Sequence, residues 1–186
     1  IKQLSLIKKY FFLSLILNLI SSYFSLGFYR DDEHFQILEP ITYLLNINNV
    51  VLTDGSWYWE WEKAMRPWFQ SYLYYFIIKL AQYANIYNPF TWVFILKVFS
   101  SLIGLLSIVY LFQSFKKLFN VKENHFNYFL FFTFWFYPFL HSRTSSENLG
   151  ISLFIISFCF LYKTLIDNNK EFKFLLIFIF GIFLGM

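Results

Sequence analysis

Long apolar runs separated by short polar stretches dominate the hydrophobic pattern of this chain. The run 10–29 has twenty residues without a charge, which matches the roughly 20 residues that a helix needs to cross a bilayer. Further apolar runs predict spans at 68–84, 90–115, 126–140 and 149–166, and a shorter run occupies 174–186. The pattern therefore predicts an all-α, polytopic integral membrane protein.

The first and last runs also bear on the extent of the chain. A signal peptide is the alternative interpretation of 10–29, but no small-x-small cleavage site follows and more apolar runs come after it. The chain opens at Ile1 without an initiator Met and stops at Met186 inside its last run. We therefore expect 1–186 to be the amino-terminal part of one transmembrane domain.

Composition excludes an ordinary soluble domain. Hydrophobic residues make up 58% of the chain and charged residues 14%, whereas a soluble domain carries about 25% charged residues. The net charge of +4 comes from basic residues scattered beside apolar runs, as positive-inside topology predicts, so we expect the bilayer and no nucleic acid as partner. Cys159 is the single cysteine, and its apolar surroundings predict a small buried side chain.

The loop 30–67 differs chemically from the rest. It holds seven of the 11 acidic residues and carries a net charge of −4 against +8 elsewhere. Lys2, Lys8 and Lys9 precede the first span, which places the loop on the luminal or periplasmic side by the positive-inside rule. The membrane would be the endoplasmic reticulum in a eukaryote or the inner membrane in a bacterium.

The topology beyond this loop stays open between two schemes. If every run crosses the membrane, Lys116, Lys117 and Lys122 fall on the outer side, against the positive-inside rule. If 68–84 does not cross completely, these lysines become cytoplasmic and 141–148 joins the acidic loop. Charge favours the second scheme.

The start of the loop predicts a short interfacial helix, because acidic residues favour a first helical turn and Pro40 bends or ends the helix within a few residues. Asp32, Gln36 and Glu39 form one polar stripe on that helix, facing water or a cleft. Helix capping alone is the simpler explanation of the first acidic residues. A divalent cation at 31–34 is a further alternative, but adjacent side chains on a helix point apart, which disfavours a closed metal site. No other cofactor is indicated.

Two more polar stretches offer binding chemistry. Four of the six tryptophans lie within 57–68, interleaved with acidic residues, and flat rings beside carboxylates suit a sugar as well as they suit an interfacial aromatic belt. Arg66 matches a phosphate bidentately, or anchors the next span by snorkelling. In 141–148, Arg143 and Glu147 have the spacing of a helical i,i+4 pair.

Together the three stretches resemble glycosyltransferase family 22, which contains the GPI mannosyltransferases and the Alg9-like mannosyltransferases of N-glycan assembly. The family carries Pro-Asp-Glu continued as aromatic-Gln-x-Leu-Glu, which 32–39 resembles. Its Thr-Trp-Glu-Trp and following Arg-Ser are similar to 58–61 and 66–67, and its Arg-Thr-x-(Ser/Thr)-Asn to 143–147. Three positions depart from the family pattern, namely Asp31, Pro67 and Glu147.

This resemblance implies a GT-C-type helix bundle whose extracytoplasmic first loop carries the catalytic acid. It implies an inverting hexosyltransferase that moves a sugar, typically mannose, from a polyprenyl (dolichyl) phosphate to a glycan or glycolipid hydroxyl. Asp32 is then the catalytic base, with Glu33 orienting it or binding the acceptor. The substrate-binding residues would be Gln36, Glu39, Trp59, Glu60, Trp61, Arg66 and Arg143.

A membrane transporter and a non-catalytic assembly subunit are the alternative functions. Transporters place ionisable groups inside their spans, whereas the spans predicted here hold Lys79 and Lys97 and the acidic residues crowd the loop. This distribution favours an enzyme over a transporter. A non-catalytic subunit with the same fold would share the sequence pattern.

Overall fold

The computed structural model describes residues 2–25, 33–45, 68–119, 122, 124–167, 173, 175–176 and 179–180. Every regular element among them is a helix, as predicted. In chain order these are α1 (Lys2–Phe24), a π-helix (Glu33–Leu38), α2 (Glu39–Leu44), α3 (Phe69–Tyr83), α4 (Pro89–Phe119), α5 (His125–Thr133), α6 (Tyr137–His141) and α7 (Ser146–Asp167). Two segments within this part of the chain, Leu6–Phe24 and Pro89–Phe119, are long and apolar enough to span a membrane.

The helix predicted at the start of the acidic loop is present, with a change of helix type inside it. The π-helix Glu33–Leu38 passes directly into α2, and Pro40 lies in the first turn of α2, the part of an α-helix that tolerates proline best. The helix therefore runs past the proline to Leu44. Single π-helical turns are rare and frequently mark functional sites.

The apolar run 126–140 forms two short helices instead of one span. Asn124 caps α5 by accepting a hydrogen bond from the backbone N–H of Asn127 at 2.8 Å, and α5 ends at Thr133. Residues 134–136 are not helical, and α6 begins with Pro138 in its first turn. Hydrophobicity alone did not reveal this break because all three intervening residues are aromatic.

Helix α4 is the axis of the fold, and α1 packs antiparallel to its carboxyl-terminal half. Near the end of α1, the Ser22 and Ser101 hydroxyls are hydrogen-bonded at 3.1 Å. Near its start, the ring of Tyr10 stacks on that of Tyr128, with the ring centres 5.8 Å apart. Tyr128 in turn contacts Phe112 of α4. The basic residues at the end of α4 therefore lie at the same end of the bundle as the start of α1.

Two apolar cores flank α4 at different heights. The first joins the π-helix, α2, α3 and the amino-terminal half of α4, through buried side chains that include Ile41, Tyr74 and Leu96. The second joins the carboxyl-terminal half of α4 to α5 and α1, around Phe112 and Phe132. Helices α1 and α3 consequently lie end to end along α4, and buried polar side chains occupy the junction between the cores.

Candidate functional site

Two charged side chains from distant parts of the sequence meet at this junction. Glu33 opens the π-helix, and Arg143 lies in the turn before α7. The Glu33 Oε2 and Arg143 Nη1 atoms are 3.9 Å apart, and both residues are buried, at 2% and 8% exposure. The distance is that of an ion pair rather than a direct hydrogen bond. The guanidinium group also lies 4.3 Å from the centre of the Phe139 ring, a cation–π distance.

Lys97 of α4 adds a second buried cation. It is 4% exposed and lies within electrostatic range of both Glu33 and Arg143. Its ammonium group donates a hydrogen bond to the carbonyl oxygen of Ser25, the residue that follows α1, and lies 3.2 Å from the Ser25 hydroxyl. Glu33, Lys97 and Arg143 are called the charged cluster below.

Polar side chains of α3 and α4 lie beside the charged cluster. The Tyr74 and Ser100 hydroxyl groups are hydrogen-bonded at 2.7 Å, and Tyr74 lies within electrostatic range of Glu33. The amide nitrogen of Gln70 donates to the carbonyl oxygen of Thr144 at 2.8 Å. These contacts fix the beginning of α3 against the turn that carries Arg143.

The turn 142–145 is held by side chains of α7 and α1. Asn148 donates from Nδ2 to the carbonyl oxygens of Arg143, at 2.7 Å, and His141, at 3.2 Å. The Ser21 and Ser142 hydroxyls are hydrogen-bonded at 3.1 Å, which connects the turn to α1. Contacts with α1, α3 and α7 therefore fix the turn that carries Arg143.

His141 packs against α4 at Gly104. A Cβ atom added to Gly104 would lie 2.5 Å from Cγ of His141, so the ring occupies the space that a side chain would need. Burial lowers the pKa of His141 to about 4. The imidazole is therefore neutral at pH 7 and adds no third cation beside Lys97 and Arg143.

The structure brings together part of the predicted site. Glu33 and Arg143 are in contact, and Glu39 is partly buried at the start of α2. Gln36 lies on the π-helix, but its side chain is outside the described part. The remaining predicted site residues lie outside the described residues: Asp32, Trp59, Glu60, Trp61 and Arg66.

Arg143 has a different environment from the one that its spacing to Glu147 predicts. Residues 143–145 precede α7 instead of belonging to it, so the helical i,i+4 geometry does not apply to this pair. Arg143 reaches across the bundle to Glu33. Its sequence spacing gave no indication of this partner because the two residues are separated by 110 positions.

Sequence reasoning also missed Lys97, Tyr74 and Gln70. The available signal was Lys97 itself, since an ionisable residue inside an apolar run is a functional candidate by default. Tyr74 and Gln70 gave no signal because polar aromatic and amide residues are common near membrane interfaces.

The described residues contain no group of three or more His, Cys, Asp or Glu side chains arranged to hold a metal ion. The alternative cation site also included Asp31, Asp32 and His34. Asp31 and Asp32 lie outside the described residues, as does the side chain of His34, so the search did not cover them. In the described part, the carboxylate of Glu33 faces cations.

Comparison with known proteins gives one match over most of the chain. The Alg9-like mannosyltransferase family matches residues 9–185. No curated protein and no solved structure matches the chain. The matched region includes all three polar stretches that carry the resemblance, together with every helix from the second turn of α1 onwards.

Proposed function

Because this chain belongs to the Alg9-like mannosyltransferase family, we propose that it transfers mannose from a polyprenyl phosphate to a hydroxyl group of a glycan or glycolipid. Family membership makes it a membrane-associated glycosyltransferase. The identity of the donor, the class of acceptor and inversion at the anomeric carbon are parts of the proposal. The family match favours this reaction over transport.

The reaction needs a base and a stabilised leaving group. The acceptor oxygen forms a bond to the anomeric carbon of mannose from the face opposite the phosphate. Its proton passes to the Asp32 carboxylate, and the bond between the anomeric carbon and the phosphate oxygen breaks. Polyprenyl phosphate departs with the bonding electrons, and Arg66 stabilises its charge.

Contact between Glu33 and Arg143 is the observation that carries this proposal. The ion pair joins the first family motif, after α1, to the third, before α7. The carboxylate of Glu33 is buried and paired with Arg143, and Lys97 lies within electrostatic range of it. Glu33 is therefore suited to orient the segment that carries Asp32, and Asp32 is left as the base.

The other predicted residues would bind the substrates. Trp59 and Trp61 present flat apolar faces on which a sugar ring stacks, and Glu60 accepts hydrogen bonds from its hydroxyl groups. Gln36 and Glu39 follow Glu33 on the same helical segment and would contact the acceptor. The contact with Glu33 supports a positioning role for Arg143 beside substrate binding.

Transfer of radiolabelled mannose by the full-length protein in lipid vesicles tests this function. Polyprenyl-phosphate mannose is offered in one reaction and nucleotide-linked mannose in a matched one, each with a glycolipid acceptor fraction. We expect label in the acceptor with the lipid donor alone. Transfer from the nucleotide donor alone, or from neither donor, contradicts the proposal, and the second result favours a non-catalytic subunit.

A further inference from the structure

We infer that Lys97 is a positioning residue for the transferase reaction, tying the end of α1 to α4 and adding positive charge beside the ion pair of Glu33 and Arg143. The inference rests on the proposed function. Lys97 belongs to none of the three family motifs described above, and the reaction as proposed assigns it no contact with either substrate.

The cost of burying this lysine indicates that it is retained for a purpose. An ammonium group in an apolar helix loses several kcal/mol of hydration unless it is paired. Lys97 is buried in the longest apolar helix of the described chain, and its hydrogen bond goes to a backbone carbonyl. Hydrophobic packing alone would be satisfied by an uncharged side chain of similar length, such as methionine.

The hydrogen-bond partner explains the positional part of the role. Ser25 directly follows α1, so its carbonyl group belongs to the negative end of that helix. A cation there is stabilised, and it fixes the point at which the chain leaves the helix. The segment between Ser25 and Glu33 carries Asp32, so both of its ends are tied: Ser25 to Lys97 and Glu33 to Arg143.

The electrostatic part follows from the neighbours of Glu33. Lys97 faces it from α4, Arg143 from the turn before α7 and Tyr74 from α3. Lys97 and Arg143 repel each other, so each is more stable with the carboxylate present than without it. Removing Lys97 withdraws positive charge from beside Glu33 and its sequence neighbour Asp32, so these carboxylates are protonated more easily.

The test compares Lys97→Met and Lys97→Arg with the wild type in mannose transfer. Lys79→Met is the matched control, because Lys79 is also in an apolar helix but is exposed beside Tyr75. For Lys97→Met we expect kcat to fall on the order of 10²-fold, as misplaced catalytic groups do, with KM little changed. The acidic limb of the pH profile should move to higher pH, because the base then protonates more readily. Lys97→Arg should keep the wild-type limb, and Lys79→Met should change nothing.

A second measurement does not depend on activity. Thermal unfolding in detergent is compared for Lys97→Met, Glu33→Gln and the double variant. Since each single change removes the same attraction between Lys97 and Glu33, the double variant should lose less in Tm than the sum of the two single losses. If Lys97→Met does not fold, Lys97→Gln replaces it, because an amide still donates to Ser25 but carries no charge.

An unchanged acidic limb in Lys97→Met, or additive losses in Tm, overturns the inference. A wild-type protein that transfers no mannose overturns the proposed function instead. The unfolding comparison then decides the role of Lys97 alone.

Discussion

At the residue scale, the charged cluster concentrates electrostatic free energy in a small buried volume. Moving each of its three charges out of water costs several kcal/mol, and the attraction of the two cations to Glu33 offsets part of this only while the carboxylate is in place. Glu33 faces Arg143 at 3.9 Å, with Lys97 within electrostatic range of both. Such an arrangement holds Glu33 in position because displacing its carboxylate leaves two buried cations that repel each other.

His141 gives a prediction at the same scale. Its pKa is lowered to about 4 in the folded protein, so between pH 6.5 and 4 the unfolded chain binds a proton that the folded chain does not. The contribution of neutral His141 to the free energy of unfolding is complete above pH 6.5 and is lost as the pH falls through about 4. It amounts to at most about 3 kcal/mol. Tm measured at pH 7.5 and pH 5 should fall more for the wild type than for His141→Gln. Equal falls in both proteins would contradict this assignment.

The family resemblance named Glu33 and Arg143 as candidate site residues, but it did not predict their contact. Each lies in a family motif that is visible in the sequence, whereas their proximity depends on how α6 returns to the middle of α4. Lys97 was interpreted as one of few charges in the spans, because a single sequence does not show which helix end an ammonium group faces.

At the element scale, α6 approaches α4 closely because Gly104 leaves room for the His141 ring. Gly104→Ala places a Cβ where the ring lies and 2.9 Å from Cβ of His141, so a new ring rotamer alone does not relieve the clash and α6 must shift. Overpacking of this kind costs typically about 1–3 kcal/mol, and we expect a lower Tm for Gly104→Ala in detergent.

The control for this prediction is the double variant Gly104→Ala/His141→Ala. Since the obstructing ring is gone, adding the alanine methyl group to a His141→Ala background should cost less, with only the Cβ atom of residue 141 still 2.9 Å away. An equal cost in both backgrounds would show that the close approach of His141 does not determine the effect.

The apolar runs predicted two of the helices correctly and one incorrectly. The apolar runs 10–29 and 90–115 correspond to α1 and α4, since a long uninterrupted apolar run favours a single long helix. The run 126–140 was equally apolar, yet it divides into α5 and α6. A break whose intervening residues are themselves aromatic leaves no hydrophobic signal.

At the scale of the whole molecule, the end-to-end placement of α1 and α3 supports the second topology scheme. Ser101 bonds to Ser22 of α1 while its neighbour Ser100 bonds to Tyr74 of α3, so the two helices meet α4 at one level and extend in opposite directions. Helix α3 has 15 residues, about 22 Å of helix, which is short of the roughly 30 Å hydrocarbon. We propose that α3 does not cross the membrane.

This proposal places the turn before α7 on the same outer side as the acidic loop. Ser145→Cys and Ser56→Cys, each in a Cys159→Ala background, should both react with a membrane-impermeant thiol reagent applied from that side of intact vesicles. Lys117→Cys, at the opposite end of α4, is the control and should react after permeabilisation. Labelling of Ser56→Cys alone from outside would favour the simple alternating topology, and labelling of neither would reverse the orientation.

The chemistry assigned to the loop is tested most directly by two neighbouring carboxylates. Asp32→Asn keeps the size of the side chain but cannot accept the acceptor proton, so the rate of mannose transfer should fall about 10²- to 10⁴-fold. Asp31→Asn, at matched expression and membrane insertion, should retain most activity, because losing a helix-capping contact costs only about 1 kcal/mol. Loss of transfer in Asp31→Asn with retention in Asp32→Asn would move the base by one residue, and full activity in both variants would contradict a catalytic role for this loop.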